Sequence, residues 1–167
     1  MRCRYRTPLA GGTYYASRRT EPPQLIFSES QDYEDFEAFL AQTLDRTGTR
    51  LLGYCWMPDA IHLALAIGAT PVGEMMQRVT RYCSQRIRRR TGASVNYAHS
   101  LPIRLSEPET HLPMLLRYFQ CIPVIAGAAE SPGAYPYTSH RAYVGAPQDQ
   151  QLRTTALQTL ICVPLLH

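Results

Sequence analysis

The residues able to do chemistry are unevenly spread along this chain. All 17 basic side chains are arginine, and lysine is absent. A GC-rich coding sequence accounts for that bias, but not for where the arginines fall. Arg78, Arg81, Arg86, Arg88, Arg89 and Arg90 crowd one short segment, and Arg2, Arg4, Arg6, Arg18 and Arg19 lie near the N-terminus. Guanidinium forks match phosphate geometry, so such clusters attract polyanions. A run of like charge is otherwise a solvated helix face, and only the density of Arg86 to Arg90 lifts this one above that reading. The five cysteines (Cys3, Cys55, Cys83, Cys121, Cys162) sit far apart without C-x-x-C spacing, which argues against a disulfide framework or a zinc site. Cys55, Cys83 and Cys121 fall in apolar periodic stretches and are expected as small core residues.

These residues need a scaffold, and the composition allows one. At 167 residues, with 45% hydrophobic and 18% charged content and a net charge of +4, the chain fits one well-cored domain. No apolar run approaches the roughly eighteen residues of a membrane span. The basic N-terminus lacks the apolar stretch of a signal peptide, so a cytoplasmic location without membrane association is expected.

The element pattern alternates. Residues 12–17 read as a first strand, residues 25–27 as a short extension, and Phe36, Phe39, Leu40 and Leu44 set a helix over 31–47. Ser28 or Ser30 is placed to cap that helix, and Gly48 to stop it. Residues 50–57 and 60–67 read as a hairpin turning at Pro58-Asp59. Val72, Met76, Val79, Cys83 and Ile87 then form the inner stripe of a helix over 72–90, ended by Gly92. Residues 101–105 are the best fourth strand, at an edge because of Pro102. Ser106-Glu107-Pro108-Glu109 fits a capping box opening a helix to about Cys121, with Leu112, Leu115, Leu116 and Phe119 inward. The sum is an α+β, ferredoxin-like β-α-β-β-α-β sandwich, an antiparallel sheet with helices on one face and additional C-terminal helices. Residues 1–146 make the domain. Residues 147–167, with Leu152, Ala156, Leu157, Leu160 and Ile161 at helical spacing, form a helical tail that packs on it or extends it.

Two blocks carry a resemblance. The first is Tyr54-Cys55-Trp56-Met57-Pro58-Asp59-Ala60-Ile61-His62-Leu63. The second runs Arg117-Tyr118-Phe119-Gln120-Cys121-Ile122-Pro123-Val124-Ile125-Ala126-Gly127 and continues Tyr135-Pro136-Tyr137-Thr138-Ser139-His140-Arg141-Ala142-Tyr143-Val144-Gly145. In order and spacing they resemble the IS200/IS605-like and REP-associated tyrosine transposases of the HUH class. Those read roughly Y-x-x-M-P-N-H-x-H-L, then R-Y-I-x-x-N-P-V-R-A-G and Y-P-W-S-S-Y-R-A-Y-x-G. The resemblance spans about residues 13–145 and implies the same fold.

It also implies a chemistry, position by position. In the family the tyrosine matching Tyr118 attacks a DNA phosphate and stays joined to the 5′ end, while two histidines hold a divalent metal that polarises the phosphate. A third ligand lies one helical turn after the tyrosine. In this chain His62 is the remaining histidine, Ala60 stands for the other, and Ile122 stands at the third-ligand position. Neither Ala60 nor Ile122 has a donor atom, and one imidazole holds Mg²⁺ or Mn²⁺ poorly. Asp59, His99, His111 and His140 have no spacing that delivers them to the site. Ser17-Arg18-Arg19-Thr20 stands where the family often has S-R-G-N, and Ile125 where it often has arginine.

Three readings follow. In the first, the chain is a transposase-like protein that binds single-stranded or hairpin DNA, or RNA. Arg18, Arg19, Arg78, Arg86, Arg88, Arg89 and Arg90 serve the phosphates, Tyr97 offers a stacking ring, cleavage is impaired or lost, and no cofactor is required. In the second, an active transposase or nuclease uses Mg²⁺ or Mn²⁺ and Tyr118. In the third, the chain is a structural or protein-interaction domain without nucleic-acid affinity. A homodimer is compatible with all three.

Overall fold

A computed structural model describes residues 11–144. The expected tail over 147–167 and the arginines at positions 2, 4 and 6 lie outside them. The chain forms β1 (Thr13–Arg19), α1 (Ser30–Thr47), β2 (Arg50–Met57), β3 (Ala60–Ala66), α2 (Val72–Thr91), β4 (Ile103–Arg104) and α3 (Pro108–Ile125). A 3-10 turn (Pro132–Ala134) and a short α4 (His140–Val144) follow. The strands lie in the order β2-β3-β1-β4, with every neighbouring pair antiparallel. This is the ferredoxin-like α+β sandwich that the element order implies. No helix among the described residues is long and apolar enough to cross a membrane.

Local chemistry explains most boundaries. Gly48 and Gly92 adopt left-handed φ values of 61° and 72° and end α1 and α2, a conformation in which a Cβ would be strained. The expected serine cap on α1 is not formed. Glu29 is the N-cap without a side-chain bond, and the Asp32 carboxylate reaches back instead to accept the Ser28 N–H at 2.8 Å. Nor does the expected capping box close on α3, whose N-cap Glu107 makes no side-chain cap bond. That helix also runs past Cys121 to Ile125 despite Pro113 and Pro123 within it. Burial of Leu112, Leu116, Phe119 and Ile122 against the sheet holds it against the missing backbone donors. Residues 25–27 do not extend the sheet. The N–H groups of Ile26 and Phe27 both donate to the Pro58 carbonyl, at 2.7 and 3.0 Å, so the segment straps the β2–β3 turn. The fourth strand shrinks to Ile103–Arg104, paired only with β1, as an edge next to Pro102 should be.

Strand alternation gives the sheet two covered faces. Tyr14, Ala16, Leu51, Tyr54, Trp56, Ile61, Leu63 and Leu65 pack with α1 and α2 in one core. Leu52, Cys55, Met57, Ala60 and Ala64 pack with α3 in a second. The additional helix therefore closes the face opposite α1 and α2. A register shift between Leu51 and Gly53 makes room for it. A Cβ on Gly53 would stand 2.1 Å from Leu116 Cδ2, so this bulge lets α3 approach the backbone. The chain after α3 then covers the β2 edge. Trp56 N–H donates to the Tyr137 carbonyl at 2.9 Å, and Ser139 N–H to that of Tyr54 at 3.0 Å.

Candidate functional site

The β1–β3 ladder places Arg19 opposite Ala60, Ser17 opposite His62 and Tyr15 opposite Ala64. Directly paired residues share a face, so these six side chains all belong to the α3 side of the sheet. His62 is only 7% exposed. Its Nδ1 lies 2.9 Å from the Tyr15 hydroxyl, and its Nε2 has no hydrogen-bond partner among the described residues. Tyr118 of α3 presents its ring edge-on to the imidazole, with centroids 6.4 Å apart and planes at 89°. The structure thus brings together His62 and Tyr118, and adds Tyr15, which sequence reasoning had no means to find across 47 positions. Burial drives the His62 pKa down to about 4; the Arg19 charge pushes the same way, and Asp59 opposes it weakly. Burial raises the Tyr15 phenol, with a hydrogen bond from Ser17 opposing and the neighbouring Tyr118 reinforcing. At neutral pH the pair is a neutral imidazole against a protonated phenol.

Ala60 is fully buried, Ile122 is 8% exposed, and both belong to the apolar cluster beneath α3. Asp59 sits in the turn, 3.5 Å from Arg19 Nε. His111 Nδ1 accepts the Glu107 N–H at 3.4 Å, and His140 lies beside the 3-10 turn near Gly133. Burial pushes the Cys55 thiol up to about 12, away from the thiolate a metal would take. No group of three or more His, Cys, Asp or Glu residues that could hold a metal ion occurs among the described residues. One imidazole with alkyl neighbours does not fit a hard divalent ion, which needs several oxygen or nitrogen donors.

The arginines do not form one surface. Arg18 and Arg19 point to opposite faces. Arg18 donates to the Thr80 hydroxyl at 3.0 Å and to the Ser100 carbonyl at 3.3 Å, pinning β1 to α2. Arg78 pairs with Glu74 along α2 at 2.9 Å. Arg86 bonds Asp32 at 3.2 Å and Asp35 at 2.7 Å, while Arg90 bonds Asp32 at 2.8 Å. Burial alone would raise the Asp32 carboxyl. The N–H groups of Ser28 and Glu29 and the charges of Arg86 and Arg90 outweigh that and hold it below the usual carboxylate range. The densest arginine cluster therefore clamps α2 to the start of α1. Arg88 and Arg89 remain exposed, and so does the Arg19 side chain, at 58%. Tyr97 is partly buried, with its hydroxyl 3.1 Å from that of Ser84. The sequence signal for the clamp was present in Asp32, an acid in the first turn of α1.

No protein-family model matches the chain, and no curated protein matches it. Among solved structures, it is similar to a REP-associated tyrosine transposase bound to a REP hairpin. The TM-score is 0.65, with 10% identity over 84% of this chain and 84% of that one. At that identity the likeness is one of fold: a transposase-like sandwich in which β1, β3 and α3 frame His62 and Tyr118.

Proposed function

We propose that this chain binds single-stranded or hairpin nucleic acid, DNA in the first instance, on a transposase-like scaffold that no longer supports metal-dependent strand cleavage. The observation that carries this reading is the state of the α3 face. Tyr118 stands edge-on to His62, while the side chains at Ala60 and Ile122 are buried hydrocarbon. A phenol attacking a phosphate that no metal polarises is a poor nucleophile, with a pKa near 10. Nucleic-acid affinity draws support from the hairpin held by the protein of similar fold and from the exposed Arg19, Arg88 and Arg89. Arg18, Arg78, Arg86 and Arg90 still contribute to the local potential while acting as ties within the fold.

A labelled DNA hairpin incubated with Mg²⁺ or Mn²⁺ and run on denaturing and native gels tests both halves. A native shift that weakens with salt, without covalent product, is expected. A metal-dependent covalent band lost in Tyr118→Phe would instead establish an active transposase. Absence of any shift at low salt would favour a structural or protein-interaction domain.

A further inference from the structure

Three features of the α3 face converge outside the apolar packing. The first is an unmet polar atom: buried groups of this kind are nearly always hydrogen-bonded, yet His62 Nε2 is not. The Tyr15 hydroxyl lies 2.9 Å from His62 Nδ1, and a phenol donating there matches an imidazole whose Nδ1 is bare. The neutral ring then carries its proton on Nε2, as a donor seeking an acceptor. The second feature is a fixed cation. Arg19 stands directly across the ladder from Ala60 and diagonal to His62 on the same face. Among the described residues its guanidinium is engaged only by an exposed ion pair with Asp59 at 3.5 Å, a contact worth about 1 kcal/mol or less. The third is a wall that can give way. Of the rings lying against the imidazole, Phe119 is fully buried, whereas Tyr118 is 48% exposed.

We propose that Arg19 and His62 form a metal-independent phosphodiester site. The guanidinium supplies the positive charge, His62 Nε2–H donates to a phosphate oxygen, and Tyr118 is the ring that swings aside to admit it. This deepens the nucleic-acid reading above and rests on it. A donor and a cation select an anion, and a phosphodiester carries the single charge and the paired oxygens that a guanidinium fork takes up. Asp59 competes for Arg19, so it limits affinity in the free protein.

The test is fluorescence anisotropy of a labelled oligothymidine strand in EDTA at low salt, with wild type, Arg19→Ala, Arg46→Ala, Asp59→Asn, His62→Gln and His62→Phe. Arg46 is an exposed charge in the last turn of α1 and controls for net charge. Wild-type binding should be indifferent to EDTA. Arg19→Ala should weaken it roughly tenfold, and lower the slope of log affinity against log salt by about one. Arg46→Ala should stay within about threefold, the loss expected from a distant, screened charge. Asp59→Asn should tighten binding. His62→Gln, which keeps an N–H donor, should bind better than His62→Phe, which has none. Wild-type binding that vanishes in EDTA and returns with Mn²⁺ would overturn the inference. So would an Arg19→Ala protein that behaves like Arg46→Ala; in that case the general nucleic-acid reading survives. If wild type binds no strand at all, both fall. Should His62→Phe fail to fold, the exposed Arg19→Ala substitution decides the matter alone.

Discussion

The two faces of the sheet are cut from the same strands and treat their polar groups in opposite ways. Toward α1 and α2, the indole and the carboxylate at the helix junction are met. Trp56 Nε1 donates to Glu37 at 3.1 Å, and Asp32 takes two guanidiniums and a backbone N–H. Around these lies a continuous aromatic layer, with Phe36 edge-on to Trp56 at 5.1 Å and Tyr54 stacked on Trp56 at 4.5 Å. Toward α3, the sheet contributes small residues (Gly53, Cys55, Ala60, Ala64), and one imidazole nitrogen is left unmet. On the proposal made above, the open nitrogen of His62 is what the α3 face offers a ligand. The same contrast sorts the arginines. In the densest cluster Arg86 and Arg90 are tied to carboxylates, whereas Arg19 on the α3 side has only a long, exposed ion pair among the described residues.

The contrast breaks most visibly at Trp56. It is fully buried at the junction of α1 and the sheet, so Trp56→Ala should cost about 3–5 kcal/mol, read as a drop in the urea midpoint. A loss much below that range would mean that the α1/α2 face is less tightly packed than its ring contacts indicate.

Asp32→Asn should follow, at about 2 kcal/mol. It leaves Arg90 without its carboxylate and Arg86 with Asp35 alone. The figure lies below that for a fully buried pair because both guanidiniums are about one-third exposed. The sign with pH is fixed by the depressed carboxyl. Its contribution is complete above the unfolded value of 3.8 and is lost as pH falls through the lower folded value. An acid-unfolding curve of Asp32→Asn should therefore lose its steepness below about pH 4.

Gly53→Ala probes the other face more gently. The new methyl meets the tip of Leu116, a side chain with some freedom to turn, so about 1–2 kcal/mol is expected. No measurable change in thermal midpoint would show that α3 can slide on the sheet.

What was legible in the sequence tracks the range of the interaction. Gly48 and Gly92 act within one turn of chain, and both end their helices where the pattern put them. The hairpin at Pro58-Asp59 and the inner stripe of α2 are likewise local, and so were readable. The serine caps failed because a competing local acceptor, Asp32, stood four residues after Ser28 and took its N–H. The Leu52 bulge, the Asp32 clamp across 54 and 58 positions, and the Tyr15–His62 contact depend on tertiary register. No spacing rule reports these. Of the candidate site, the sequence could pair His62 with Tyr118 through resemblance, but the placement of Arg19 across from Ala60 needed the ladder itself.

The smallest expected effect is the sharpest for the comparison. In Tyr15→Phe with His62→Phe, both members of the buried pair become apolar at nearly the same size, and the unmet Nε2 disappears with them. Removing both partners together is close to neutral, so stability at pH 7 should stay within about 1 kcal/mol of wild type. The pH profile should nonetheless change. His62 is held neutral, with its folded pKa of about 4 below the unfolded 6.5. Its contribution is thus complete above pH 6.5 and is lost as pH falls toward 4, because the unfolded chain takes up the proton first. The double variant should flatten that limb and leave the Asp32 limb below it unchanged. If oligonucleotide binding falls in the same protein while stability at pH 7 holds, the α3 face carries a polar group retained for a ligand at no benefit to the fold. A double variant several kcal/mol less stable would return His62 to the structural account.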